Sequence, residues 1–217
     1  MRGETDSQVR EGAKILTLPT ANLSGIDDAS LVRATLNGDP RAPSALWEKH
    51  ARLVYRILRR SLGQQDEVDD LVQEVFLSLF RKLPTLREPK ALPAFLIAIT
   101  THVLRHELRR RWVRRCMTLG AKADIGPDPR VVYPNPEARQ AVSRLYGILD
   151  KLGSEERLAF VLRFIEGMEL TEVATALGLS LATAKRRLVR ARARFDRHVA
   201  GDPGLAPYLS GIDKESP

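Results

Sequence analysis

Between Thr171 and Phe195 the chain reads TEVATALGLSLATAKRRLVRARARF, two runs of helical periodicity broken at a single glycine, Gly178. In the second run Ala184, Leu188, Ala191 and Phe195 recur at spacings of four, three and four, which lays one apolar stripe along a helix. Thr183, Arg186, Arg190 and Arg197 fall on the opposite face. Ser180 carries a hydroxyl suited to capping the first turn of that helix. Val173, Ala174 and Leu177 give the first run its own apolar side, and Gly178 stands where the chain must turn, a position that favours positive φ. A short helix, a tight turn and a second helix apolar on one side and cationic on the other form the pattern of a helix-turn-helix that reads DNA.

The plain alternative is a solvated amphipathic face on a helical bundle. Such faces usually mix charges at four-residue spacing, whereas between Lys185 and Arg197 the only acid is Asp196. One-sided charge is self-repulsive unless a polyanion lies opposite it. The whole chain leans the same way, with a formal net charge of +8 over 217 residues. A membrane surface is the other usual partner of a basic protein, but the longest apolar stretch, Ala91 to Leu104, contains Pro93 and is too short to span a bilayer. The apolar run Ile15 to Leu18 is too brief for a signal peptide, and Cys116 is the only cysteine, so no intrachain disulfide framework exists. A cytoplasmic protein is the expectation.

The segmentation predicts an all-α chain of two small helical domains joined by a flexible linker, the second carrying the helix-turn-helix. Residues 1–27 are polar and aperiodic and read as a mobile leader. A first domain at 28–115 holds helices near 28–37, 42–61, 66–83 and 92–115, punctuated by Gly38, Pro40, Gly63 and the Pro84 to Pro93 loop. Residues 116–136 contain two glycines and four prolines and read as the linker. A second domain at 137–199 precedes a tail at 200–217.

Two helices of the first domain differ sharply in charge. The helix from Asp66 places Val68, Leu71, Val72, Val75 and Leu79 on a core stripe, with Asp69, Asp70, Gln73 and Glu74 off it or on its flanks. Acids in the first turn complement the helix dipole, but Asp70 and Glu74 lie further in. An acidic face in a DNA-binding protein cannot be its DNA contact, so its partner should be another protein. The next helix instead carries Arg105, Arg109, Arg110, Arg111, Arg114 and Arg115, more cations than a helix C-terminus rewards. One basic helix per domain suits two tethered DNA contacts.

This arrangement resembles the extracytoplasmic-function group of bacterial sigma factors over about residues 28–115 and 137–199. DDLVQEVF, Asp69 to Phe76, is similar to the group's polymerase-clamp-binding helix, and the stretch from Gly38 to Gly63 to its opening helices. Lys151 to Phe195 is similar to its domain for the minus-35 promoter element. The resemblance implies that Asp69, Asp70, Leu71, Gln73 and Glu74 meet core RNA polymerase. It places Thr183, Lys185, Arg186, Val189 and Arg190 at minus-35 DNA, and Phe95, His102, Arg105, His106, Arg109, Arg110 and Trp112 at minus-10 DNA. Members of the group are often held by an anti-sigma factor, an expectation the resemblance extends to this chain.

The departures lie mostly in the minus-10 helix. Phe95 and Leu96 stand where the group usually has Trp and Leu, and His102 and His106 where it commonly has Asn and Asp. The loop Leu86 to Ala94 has two prolines in place of a Gly-, Asp- and Ser-rich stretch. With only Phe95 and Trp112 as aromatic planes there, capture of unstacked bases is expected to be weak and promoter choice stringent. Glu169 replaces a usual Ser cap, leaving either Glu169 or Thr171 to start the first reading helix. His102 and His106 with Glu107 have helical metal-site spacing, but a zincin places its Glu directly after the first His and here it follows the second. No catalytic residue, cofactor or metal is expected; a stand-alone helix-turn-helix regulator of duplex DNA is the alternative, and it leaves DDLVQEVF without a purpose.

Overall fold

Asp27 starts the first helix of the computed structural model, accepting the Ser30 backbone N–H at 3.0 Å, so α1 spans Asp28–Leu36. The structure describes residues 25–63, 67–117 and 134–205, and within them every regular element is helical. α2 spans Ala42–Leu62, α3 Val68–Lys82 and α4 Leu92–Met117. The second half contributes α5 (Pro136–Leu149), α6 (Ser154–Phe160), α7 (Leu170–Leu177) and α8 (Leu181–Ala200). The expected helices are thus present within a residue or two at most ends. The leader expected at 1–27 falls almost wholly outside the described residues, and so do most of the linker, 118–133, and the tail from 206. The start of that tail belongs to the fold, because a short turn at Pro203–Leu205 seats Leu205, 1% exposed, in the second domain's core.

Local chemistry explains the helix ends around the reading motif. Five residues after α6, Val161–Ile165, form a π-helical turn closed by the Glu166 N–H on the Val161 carbonyl at 2.9 Å. Of the two caps open to α7, Glu169 takes the role: it accepts from the third residue of the helix, and the Glu172 carboxylate accepts the Glu169 N–H at 2.8 Å. Gly178 then ends α7 at φ 67°, the left-handed region that a Cβ disfavours. Ser180 caps α8 through the Thr183 N–H at 3.3 Å.

Two helical cores are present, and they dock. Phe160 and Phe195 stack at 4.4 Å inside the second domain, with Ile148, Leu149 and Leu152 around them. The larger core starts from Leu46, Leu58, Val75, Phe76 and Leu96 of the first domain and continues into Leu158, Leu162, Ala176 and Leu177 of the second. α4 is the shared element, packing on α2 and α3 with one side and on α6 and α7 with the other. Its first half, LPAFLIAITTHVL, is apolar nearly all round, as a helix buried on two sides must be.

Candidate DNA and polymerase interfaces

α8 presents the reading face. Ala184, Leu188, Ala191 and Phe195 are buried, and Lys185, Arg186, Val189 and Arg190 are exposed, with Thr183 half-buried at its first turn. Not all its cations are free. Arg187 pairs with Glu155, Arg192 with Asp196 at 2.8 Å, and Arg194 with Glu156 at 2.8 Å. Among the described residues no ion pair engages Lys185, Arg186, Arg190 or Arg197, so three of the four unneutralised cations are clustered on the turns suited to the major groove. Val189, 48% exposed among them, offers a hydrocarbon surface of the kind that meets a thymine methyl.

α4 carries the second cationic face. His102, His106, Arg109, Arg110 and Trp112 are exposed, Trp112 to 60%, while Phe95 is half-buried in the core. Arg105 departs from expectation: its Nε donates to Glu155 at 2.5 Å and its guanidinium lies 3.4 Å from the Leu177 carbonyl, so the second domain occupies it. Sequence reasoning placed Glu107 only beside a possible metal. The structure makes it the organiser of the arginines, with a side chain 4% exposed that pairs with Arg110 at 2.8 Å, Arg111 at 2.6 Å and Arg114 at 3.2 Å. The spacings i+3 and i+4 carried that signal.

The two histidine rings meet edge to face at 4.7 Å. Burial, then the positive neighbours His106, Lys82 and Arg105, hold the His102 pKa below the ordinary histidine value. Among the described residues no three His, Cys, Asp or Glu side chains gather as a metal site would need.

On α3, Asp69, Asp70, Gln73 and Glu74 are exposed. Leu71 corrects the expected polymerase contact: it is 7% exposed and faces the core, since residues three and four apart share the stripe of Val68 and Val75. In its place stands a groove of about 470 Å³ between α2 and α3, lined by Trp47, Arg52, Tyr55, Asp69, Val72 and Gln73. Trp47 is 36% exposed and stacks on Phe76 at 4.4 Å, and Leu77 is 62% exposed. The acidic face therefore borders an apolar one, which the α3 pattern alone could not reveal because α2 supplies the aromatic ring. No helix among the described residues is long and apolar enough to cross a membrane.

Comparison with known proteins follows the same division. The family described as Sigma-70 region 2 matches residues 46–114, and Sigma-70, region 4 matches residues 143–195. The chain is 35% identical over 159 residues to the ECF RNA polymerase sigma factor SigE of Mycolicibacterium smegmatis, covering 71% of this chain and 60% of that protein. It is 30% identical to the ECF RNA polymerase sigma factor SigM of Mycobacterium tuberculosis, covering 78% of this chain and 83% of that one. A solved structure of CnrH in complex with the cytosolic domain of CnrY is 26% identical and similar with a TM-score of 0.58, over 81% of this chain and 98% of that one.

Proposed function

The chain belongs to the extracytoplasmic-function group of the sigma-70 family of RNA polymerase sigma factors, and we propose from that premise that it directs core polymerase to promoters through three separate faces. Asp69, Asp70, Gln73 and Glu74, with the Trp47 groove beside them, hold the polymerase, and Leu71 supports them from beneath. Thr183, Lys185, Arg186, Val189 and Arg190 read the minus-35 element in the major groove. Phe95, His102, His106, Arg109, Arg110 and Trp112, joined by Arg105 once it is released from Glu155, bind and help open the minus-10 region. The observation that carries the reading is the sign pattern: one acidic-and-apolar face and two cationic helices in a single chain, a division that a lone DNA binder does not need. Its work is binding and not covalent chemistry, and its place is the cytoplasm, where polymerase meets DNA. CnrH forms a complex with the cytosolic domain of CnrY, and an anti-sigma partner is proposed for this chain as well.

Run-off transcription with core polymerase tests the function. Discrete start sites that appear only when the protein is added are expected, and no stimulation on any genomic template would overturn it. Charge reversal at Asp70 and Glu74 should abolish pull-down of core polymerase while leaving duplex binding by α8 intact.

A further inference from the structure

The outward side of α4 carries three nitrogen-bearing side chains in one row. His102, His106 and Arg109 are exposed and recur at spacings of four and three, so they stand one above another on a single helical face. The two imidazole rings meet edge to face with centroids 4.7 Å apart. No ion pair engages Arg109 among the described residues.

The chain has four histidines, and the other two stand elsewhere. His50 on α2 is 7% exposed and bonds Asp28 at 3.0 Å, and His198 lies in the last turn of α8. Histidine is the side chain whose ordinary pKa falls near neutrality, so protons that α4 gains between about pH 6 and 7.5 go to His102 and His106.

The charges around the pair leave it short of an anion. Burial, then His106, Lys82 of α3 and Arg105, disfavour a proton on His102, and Glu74 of α3 pulls the other way without overcoming them. Glu155 of α6 is taken by Arg105 and Arg187, and Glu107, next to His106, by Arg110, Arg111 and Arg114. From α7 and the loop before α4, Glu172 and Lys90 line the cavity beside Pro93, Ala94 and Ile97, earlier on the helix than His102. α2 lies behind, where the Leu62 carbonyl meets Arg111, and Asp28 of α1 is held by Lys49 and His50. Two like charges one helical turn apart repel, so the pair holds a second proton well only when an anion joins both rings. A backbone phosphodiester fits that need, with one negative charge spread over two free oxygens that each accept an N–H.

We propose that His102 and His106 form a proton-dependent clamp for one backbone phosphate of the minus-10 strand, with Arg109 as the permanent cation beside it. This rests on the sigma-factor reading for the identity of the strand, while the clamp chemistry suits a phosphodiester of any exposed strand. Each imidazole takes a proton from solvent as the phosphate arrives and donates one N–H to it; no covalent bond forms or breaks. The complex therefore binds protons that the free chain lacks. Affinity rises as pH falls through the bound-state pKa values and levels off below the free ones, by at most about tenfold per pH unit for each proton taken up.

Proton NMR of the full chain at low salt follows each ring from about pH 5 to about pH 8.5, with His102→Gln and His106→Gln assigning the signals. A short oligothymidylate should raise the pKa of both rings together by at least about half a unit and leave His50 unmoved. In His102→Gln the rise at His106 should shrink by at least about half, since one ring then holds the phosphate alone. No rise with oligothymidylate would overturn the clamp, and an equal rise from inorganic phosphate at the same phosphate concentration would overturn its assignment to a nucleic-acid strand. With core polymerase and a promoter fragment mapped by run-off transcription, affinity should increase at least about fivefold from about pH 7.5 to about pH 6. His102→Gln combined with His106→Gln should hold that change under about twofold, whereas Arg109→Gln should bind more weakly at every pH and keep the full slope. Equal pH profiles for the wild type and the double variant would sink the clamp alone. A paired rise in the NMR titration without run-off transcripts would sink the sigma reading alone.

Discussion

Glu107→Gln takes away the nearer and more buried of two carboxylates, Glu107 and Glu67, that Arg110, Arg111 and Arg114 share. Its cost follows from the exposure of each partner. Arg110 and Arg114 have side chains 58% and 52% exposed, so their pairs contribute only about 0.2–1 kcal/mol each. Arg111 is 12% exposed, and stranding a buried charge costs about 3–5 kcal/mol. It retains the Leu62 carbonyl at 3.5 Å and Glu67 at 3.6 Å, which favours the lower end, about 3 kcal/mol in all. The companion variant Arg111→Gln in the same chain removes the stranded charge, so the double variant should be more stable than the sum of the single costs by at least about 1 kcal/mol. Urea unfolding of the wild type, both single variants and the double variant measures this directly. A loss under about 1 kcal/mol for Glu107→Gln, or strict additivity in the cycle, would refute the claim that a desolvated Glu107–Arg111 pair organises the helix. With core polymerase, opening of the minus-10 region should fall in Glu107→Gln while binding of a minus-35 duplex persists, because α8 takes no part in the cluster.

Gly178→Ala should destabilise the fold by about 1–2 kcal/mol, because the cost is purely that of a left-handed backbone and no atom lies within 4 Å of the added Cβ; Gly178→Asn, measured alongside by thermal unfolding, should cost less. Burial raises the Asp28 pKa, but hydrogen bonds from Lys49 and His50 outweigh it and hold the carboxyl below its ordinary value. The stability this adds is present above the ordinary carboxyl range and disappears as pH falls through the depressed value, so Asp28→Asn should be less stable at neutral pH and match the wild type in strong acid. Four of the seven cations from Lys185 to Arg197 have no ion pair among the described residues, namely Lys185, Arg186, Arg190 and Arg197. Binding of a minus-35 duplex should therefore weaken with salt at a log–log slope of roughly −3.6, where seven free cations would give roughly −6.3.

Much of the fold was legible because helices announce their buried side. The spacing of Ala184, Leu188, Ala191 and Phe195 named the buried stripe of α8, and Ser180 and Gly178 named its boundary. Periodicity tells that a face is covered without telling what covers it. Val173 and Leu177 read as the apolar side of the motif's first helix, yet they also belong to the core shared with the first domain. For Leu71 periodicity was the better guide, since it put the residue on the core stripe where its side chain lies, while the resemblance alone set it among the surface acids. For Glu169 a local signal was present, since an acid three residues on, Glu172, accepts the backbone N–H at 169 and completes a reciprocal cap.

The charge along one helix does not show which acids the fold brings to it. Counted within α8, the cations faced a single acid, and a polyanion was the only relief in view. The fold brings Glu155 and Glu156 of α6 beneath Arg187 and Arg194, acids some thirty residues upstream that no local count could assign. Neutralising the flank does not weaken the case for DNA. It leaves Lys185, Arg186, Arg190 and Arg197 without an ion pair, three of them on the first turns of α8, so less of the proposed binding would come from sequence-blind phosphate attraction and more from base edges. A sigma factor gains from that bias, since a strongly basic helix would hold polymerase on any duplex it met. By the same logic Glu107 trims the charge of α4 while aiming its arginines. On the proposed function, Glu155, Glu156 and Glu107 would therefore be part of how the chain discriminates, cancelling affinity that carries no sequence information.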